Sequence, residues 1–275
     1  MNLDAVANLK VLVLGDAIMD EYVYVTPLGK SIKDNMISTQ FVRKETYRGG
    51  AWAGAEHIRD FSPQVESMVG PNITTNRRFV EEAYTRKLFV VHETIPLTGR
   101  VERPFPAYDL VVVTDFGHGC LNPETIEKVC KEAKYLAVNT QTNTSNYGFN
   151  LITKYPRADY VVLDELEARL ATHDRYSPLE DIIKKLGFKK IIVTQGYKGA
   201  IGYDGEQFYQ MAASASKVVD TMGAGDAFLC VSSLFASLGW SIPDLLSIGN
   251  AAAAVKVSII GHRTSVTKEA MKAYL

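Results

Sequence analysis

Five short apolar runs, each ending in a polar residue or glycine, recur along this 275-residue chain. Uninterrupted Val, Leu and Ile residues are typical of strands that are buried on both faces of a parallel sheet. Helix-like stretches separate several of these runs, so the pattern predicts an α/β fold with helices on both faces of the sheet. The predicted strands cover 10–16, 109–119, 135–141, 158–165 and 189–196.

Capping residues support the helices of this pattern. Asn122 stands just before a proline and an acidic turn, which is typical of a helix start. Ser177 with Glu180 three residues later predicts a capping box at the start of another helix. The predicted helices cover 122–134, 177–187, 226–238 and roughly 243–258.

Two regions follow a different pattern, in which apolar and polar residues alternate. Such alternation predicts antiparallel strands with one open face. These regions, about 20–48 and 84–94, are expected to form a small β-lid that stands off the main sheet. A further hairpin is predicted over 199–211, with Asp204 and Gly205 at its turn.

Composition narrows the possible functions of the chain. The formal net charge is −1, with acidic and basic residues intermixed, so neither nucleic acid nor an anionic membrane surface is an expected partner. Apolar runs stay short of the length a membrane span needs. The three cysteines are not spaced as metal ligands and are typical of reduced thiols, so a soluble, cytoplasmic protein is expected.

The segment "MGAGDAF" at 222–228 carries the clearest chemical signal. It lacks the third glycine of a dinucleotide fingerprint and the lysine of a P-loop. A glycine turn that opens a helix presents backbone N–H groups to an anion. Asp226 would repel a phosphate, but it suits a base that removes a proton from a hydroxyl. The alternative that Asp226 only favours the helix N-terminus stays open.

Polar residues close the predicted strands and indicate a cleft at one edge of the sheet, because ligands of parallel α/β sheets bind beyond the carboxyl ends of the strands. For each residue alone, a polar loop or helix capping is the better explanation. Three histidines, His57, His92 and His173, are expected on the surface or in packing. The strand-end residues are Asp16, Asp115, Asn139, Asp164 and Thr194.

In this order of elements, "DTMGAGDAF" closely resembles the signature of the ribokinase-like, or PfkB, family of sugar kinases. The resemblance extends over nearly the whole chain and is strongest to the heptose-phosphate kinase branch. It implies one three-layer domain over 1–275, with a mostly parallel central sheet and a small β-lid. The other matching segments are "VLVLGDAIMDEY", "RGGAWAGAEHI", "VVTDFGHGCL", "VTQGYKGAIGY" and "IGNAAAAVKV".

By this resemblance the chain is an ATP-dependent kinase that acts on a sugar or sugar phosphate. Asp226 matches the catalytic base, and Gly223, Ala224 and Gly225 match the anion hole. The positions that match the acceptor side are Asp16, Asp20, Gly49, Gly50 and, on a lid strand, Lys87.

The resemblance also implies a nucleotide side and a magnesium ion. Asp164 with Glu167 matches a pattern associated with Mg²⁺ and phosphate, in which Glu167 acts indirectly through water. Lids of this kind often pair between subunits, so a homodimer through the lid is expected. The positions that match the nucleotide side are Thr194, Gly196, Gly199 and Asn250.

Several positions depart from the family pattern. Ala53 replaces a sugar-binding Asn, His118 replaces a Lys, and Gln141 stands where the heptose branch has a cation. Arg263 is expected near the nucleotide. These changes keep a second hypothesis open, a catalytically weakened module that binds a sugar or nucleotide.

Overall fold

A sheet of ten strands forms the centre of the computed structural model, which describes residues 1–94, 104–215 and 217–275. The strands are β1 (Val11–Lys30), β2 (Ile37–Gly50), β3 (Val65–Glu81), β4 (Arg86–Glu93), β5 (Leu110–Asp115), β6 (Leu136–Thr140), β7 (Tyr160–Asp164), β8 (Ile191–Thr194), β9 (Ala200–Tyr203) and β10 (Phe208–Met211). Their order is β10-β9-β8-β7-β6-β5-β1-β3-β4, and β2 pairs with β1. The central pairs from β3 to β8 are parallel, whereas the pairs made by β2, β4, β9 and β10 are antiparallel.

Helices cover both faces of this sheet. They are α1 (Ala51–Arg59), α2 (Pro123–Glu132), α3 (Glu165–Thr172), α4 (Leu179–Leu186), α5 (Ala224–Ser237), α6 (Ile242–Val257) and α7 (Lys268–Met271). Successive residues of a strand point to opposite faces, so Val11 and Val13 pack with α1, α5 and α6, while Leu12 and Leu14 pack with α2, α3 and α4. The predicted three-layer α/β fold is confirmed.

Each predicted strand and helix lies within or near an observed one, but the predicted cap at Ser177 is wrong. Helix α4 begins at Leu179 after Pro178, without a side-chain cap. The Ser177 hydroxyl instead donates to Asp174, 2.8 Å away, which holds it in a local turn. A capping box does occur at the start of α3, between Asp164 and Glu167.

The lid is a direct extension of the sheet. Strand β1 pairs with β5 over 11–15. It then continues beyond the end of β5 and pairs with β2 over 17–30. The segments 20–48 and 84–94 lie in β1, β2 and β4 with their turns. Strand β3 follows β1 into the lid and adds a strand there that the pattern did not predict.

The topology brings the carboxyl ends of β5 to β8 to one edge of the sheet, because these strands are parallel, and β1 passes the same edge after Gly15 on its way into the lid. The N-terminus of α5 reaches this edge, and the lid extends beyond it. None of the helices within the described ranges is long and apolar enough to cross a membrane.

Candidate active site

Three adjoining cavities lie at this edge of the sheet. They are named for the sides that the family resemblance implies: an acceptor cavity of about 190 Å³ under the lid, a central cavity of about 320 Å³ over the strand ends, and a nucleoside cavity of about 510 Å³ beside α6. Gln141, Gly223 and Asp226 line both the acceptor and the central cavity. Ala224 and Gly225 line both the central and the nucleoside cavity. The start of α5 therefore contacts all three spaces.

Residues 223–225, called the glycine cradle below, lead the chain into α5. Gly223 has a φ of 74°, in the left-handed region that favours glycine. Helix α5 consequently begins at Ala224, two positions earlier than the predicted start at Asp226, and Asp226 is in its first turn. N–H groups of a first helical turn lack acceptors within the helix and attract anions. The glycine cradle is thus placed to bind an anionic group in the central cavity.

Asp226 lies behind this cradle with its side chain almost fully buried. Its carboxylate accepts a hydrogen bond from the Gln141 amide. Burial raises the pKa of Asp226 to about 6, although nearby His262 and Lys256 and the Gln141 hydrogen bond act in the opposite direction. A carboxyl group with this pKa is mostly ionised at neutral pH and remains basic enough to take a proton.

Asp20 is the carboxylate of the acceptor cavity. It forms a buried ion pair with Arg78, and the His262 ring lies 3.4 Å away on its other side. Although burial opposes ionisation, His262 and Arg78 keep the pKa of Asp20 below its ordinary value. Gly50 lines the same cavity, and Gly49 packs against the Asp20 carboxylate, where a Cβ atom would clash with it. The acceptor side therefore presents a fixed charge pair rather than a free carboxylate.

Like Gly49, the two charged residues Asp16 and Lys87 were predicted for the acceptor side but lie outside this cavity's lining. The Asp16 carboxylate accepts hydrogen bonds of 2.9–3.2 Å from the backbone N–H groups of Phe116, His118 and Cys120. It therefore holds the loop after β5 in place. Lys87 donates to Asp220 at 3.0 Å. Each of these two charged groups is already engaged by the protein itself.

Lid strands supply acceptor-cavity residues that the sequence analysis missed. Asn76 and Arg78 come from β3 and His92 from β4, where the His92 ring lies 2.7 Å from the Asn76 amide oxygen. His92 is exposed, as expected for a surface residue, but its ring also lines this cavity. The alternation of Thr74, Asn76 and Arg78 was a usable signal, because residues two apart on a strand share a face.

The positions at which the chain departs from the family pattern have clear surroundings. Gln141 bonds Asp226, and His118 lines the acceptor cavity within 3.4 Å of the Asn143 amide. Ala53 is buried in α1. Arg263, which was expected near the nucleotide, binds Glu45 of the lid at 2.7 Å and is not among the residues that line the nucleoside cavity.

The nucleoside cavity contains the four residues predicted for the nucleotide side. Thr194, Gly196 and Gly199 line it from the end of β8 and the turn that follows. Asn250 of α6 lines it from the opposite side and donates to the carbonyl of Ala212 at 3.2 Å. Much of the remaining lining is apolar, which suits a flat aromatic base.

Asp164 and Glu167 lie in the wall of the central cavity. Glu167 accepts the backbone N–H groups of Asp164 and Thr142 at 2.9 and 3.0 Å, and burial raises its pKa to about 8. The described residues contain no group of three His, Cys, Asp or Glu side chains that could hold a metal ion. Buried Asn139 Oδ1 and Thr142 Oγ1 have no hydrogen-bond partner within the described ranges. These oxygens fit the waters of a hydrated cation better than direct metal coordination.

Fold and site together define the class of ribokinase-like kinases. Residues 101–269 match the family described as pfkB family carbohydrate kinase, which is more than half of the chain. The chain belongs to the pfkB family of carbohydrate kinases.

Two kinds of relatives extend this comparison. The bifunctional protein HldE of Desulfatibacillum aliphaticivorans is 32% identical over an alignment of 187 positions that covers 63% of this chain and 36% of that protein. The match therefore spans about a third of that curated relative. Ribokinase from Thermotoga maritima has a TM-score of 0.75 at 16% identity, covering 97% of this chain and 99% of its own. Arabidopsis thaliana ribokinase complexed with ribose and ATP has a TM-score of 0.71 at 19% identity, covering 97% and 98%.

Replacing Asp226 by Asn is expected to stabilise the protein at pH 7 but not at pH 4. In the unfolded chain this group ionises near 3.8, whereas in the folded protein burial raises its pKa to about 6. Stability is therefore lost as pH rises through this window, and Asn removes that loss.

We expect the free energy of unfolding at pH 7 to increase by roughly 1–3 kcal/mol in Asp226→Asn. Urea unfolding of both proteins at the two pH values measures this difference. An equal gain at both values would contradict the assigned burial of the charge.

Proposed function

We propose that this protein transfers the γ-phosphoryl group of ATP to a hydroxyl of a sugar or sugar phosphate. The observation that carries the proposal is the position of Asp226, which lines both the acceptor and the central cavity behind the glycine cradle. A hydroxyl in the acceptor cavity and a phosphoryl group in the central cavity would meet at this carboxylate.

Asp226 acts as the base in this reaction. It takes the hydroxyl proton while the hydroxyl oxygen forms a bond to the γ-phosphorus and the bond from that phosphorus to the bridging oxygen of ADP breaks. The Gln141 hydrogen bond orients the carboxylate. Backbone N–H groups of the glycine cradle stabilise the negative charge on the group in transfer.

ATP occupies the nucleoside and central cavities in this proposal. The adenine ring of ATP lies between Asn250 and the turn that contains Gly196 and Gly199. Its phosphates extend past Thr194 towards Ala224 and Gly225. Hydrated Mg²⁺ bound near Asn139, Thr142 and Glu167 would neutralise phosphate charge. The polar oxygens in this wall support that assignment.

A heptose-type acceptor is the first substrate class to test, because the HldE relatives match this chain. The small acceptor cavity and its charge pair of Asp20 and Arg78 suit a compact polyol with several hydroxyl groups.

A catalytically weakened binding module is the second candidate. The hydrogen bond from Gln141 to Asp226 favours this candidate. The Gln141 amide already engages one carboxylate oxygen of Asp226, the group that must accept the hydroxyl proton. Ala53, which is buried where the family pattern has a sugar-binding Asn, points in the same direction.

An ADP-release assay across a panel of sugars and sugar phosphates, with ATP and Mg²⁺, separates these candidates. We expect turnover with at least one acceptor, and a fall in kcat of roughly 10²–10⁴-fold in Asp226→Asn, since that variant has no base. The nucleotide dissociation constant should change little, because the amide keeps the shape of the side chain.

Asp174→Asn is the matched control, since this carboxylate lies in the loop after α3. It should keep the wild-type rate. Wild-type turnover by Asp226→Asn would contradict the mechanism, and nucleotide binding without turnover on any acceptor would favour the binding module.

We also propose that residues 1–275 act as one kinase domain in the cytoplasm. The continuous sheet joins the lid to the central strands through β1 and β3. The three cysteines are free and buried, which suits a reducing compartment. The expected partners are the sugar and ATP.

The lid supports a further proposal, a homodimer formed through this surface. Strand β4 forms one edge of the sheet, and every one of its residues is exposed. Exposed apolar patches and open strand edges are typical of protein interfaces. The apolar residues exposed on β2 and β4 are Ile37, Phe41, Val42, Leu88, Phe89, Val90 and Val91.

Light scattering at micromolar concentration should give twice the 30.4 kDa chain mass. The double substitution Phe41→Glu with Val90→Glu should give a monomer, because it places charges in the apolar surface. Phe149→Glu, which changes an exposed phenylalanine after β6, is the control and should stay dimeric. A monomeric wild type would remove the proposal.

A further inference from the structure

Lys256 is a buried lysine near the end of α6, with an exposed fraction of 0%. Lysine is almost never fully buried unless its ammonium group is paired, because removing that charge from water costs much free energy. The phosphoryl-transfer steps proposed above make no use of this charge. Its position close to the glycine cradle therefore needs an explanation.

The ammonium group donates to two backbone carbonyls from different loops. Lys256 Nζ lies 2.7 Å from the carbonyl oxygen of Met222 and 2.8 Å from that of Gly261. Met222 directly precedes the glycine cradle, and Gly261 directly precedes His262, which lines the acceptor cavity. One positive charge thus joins the two loops that border the site of transfer.

The lysine side chain also packs behind the cradle itself. A Cβ atom built on Gly223 would lie 3.2 Å from Lys256 Cε and 3.7 Å from its Nζ. Carboxylates in the surroundings, namely Asp220, Asp226 and Asp20, favour the charged form of the lysine and oppose the effect of burial on its pKa. A positive charge at this depth acts on the cradle through a medium of low polarity, where its effect is strong.

We propose that Lys256 is a positioning residue whose ammonium group fixes the glycine cradle in its phosphate-binding conformation. Carbonyl oxygens gathered around one positive charge are also the surroundings of a bound monovalent cation. The lysine therefore supplies a permanent cation, and the protein needs no added K⁺ or NH₄⁺. This inference rests on the proposed kinase function.

The experiment compares three proteins in potassium, ammonium and tetramethylammonium chloride at equal ionic strength. They are the wild type, Lys256→Ala, which leaves space for a small cation, and Lys256→Met, which fills the space without a charge. Lys272→Met is the control, since Lys272 pairs with Glu269 on the surface. ADP release gives kcat and KM, and thermal unfolding is recorded in the same salts.

We expect wild-type kcat to be the same in the three salts to within about twofold. In tetramethylammonium, kcat of both Lys256 variants should fall by roughly 10²-fold, more than the KM for ATP changes. Potassium or ammonium should restore most of the activity of Lys256→Ala and little of that of Lys256→Met. Only Lys256→Ala should gain Tm from the small cations.

A wild-type kcat that potassium raises severalfold over tetramethylammonium would overturn the inference, even where neither variant folds. Full activity of Lys256→Met would do the same. A wild type without turnover on any acceptor would contradict the kinase proposal instead. In that case thermal unfolding alone tests the role of Lys256. A Tm of Lys256→Ala that is equal in all three salts would overturn the inference.

Discussion

The burial of the Asp226 carboxylate is the constraint on which the rest of the site depends. This charge lies where the acceptor and central cavities meet, so its surroundings must keep it ionised without pairing it fully. Gln141 donates a neutral hydrogen bond, while His262 and Lys256 contribute positive potential from a distance. A direct ion pair would hold the pKa low and leave a weak base, whereas burial alone would leave the group protonated.

The same requirement explains how charges are arranged around the acceptor. Asp20 is paired with Arg78 from the lid, so its negative charge adds less to the field at Asp226 than a free carboxylate would. His262 lies against Asp20 on the other side, and the loop that carries it is tied to α6 by Lys256. Lid, C-terminal loop and the segment before α5 are therefore linked through charged side chains as well as through apolar contacts such as that of Met222 with the lid.

Much of the fold could be predicted from the sequence because it depends on local apolar patterns, and the residues that line the nucleoside cavity could be named because short contiguous segments carry the family resemblance. The glycine cradle is one short segment, and Thr194 and Asn250 lie on elements with clear periodicity. The acceptor side could not be predicted in the same way. Arg78 and His92 reach it only through the pairing of β3 with β1 and β4, which joins distant parts of the chain.

The most direct test is the pH dependence of kcat/KM for a neutral sugar acceptor at saturating ATP and Mg²⁺. The burial that raises the pKa of Asp226 to about 6 predicts that kcat/KM rises about tenfold per pH unit below this value and levels off above it. A profile that stays level from about pH 5 to pH 8 would contradict the assignment of Asp226 as the base.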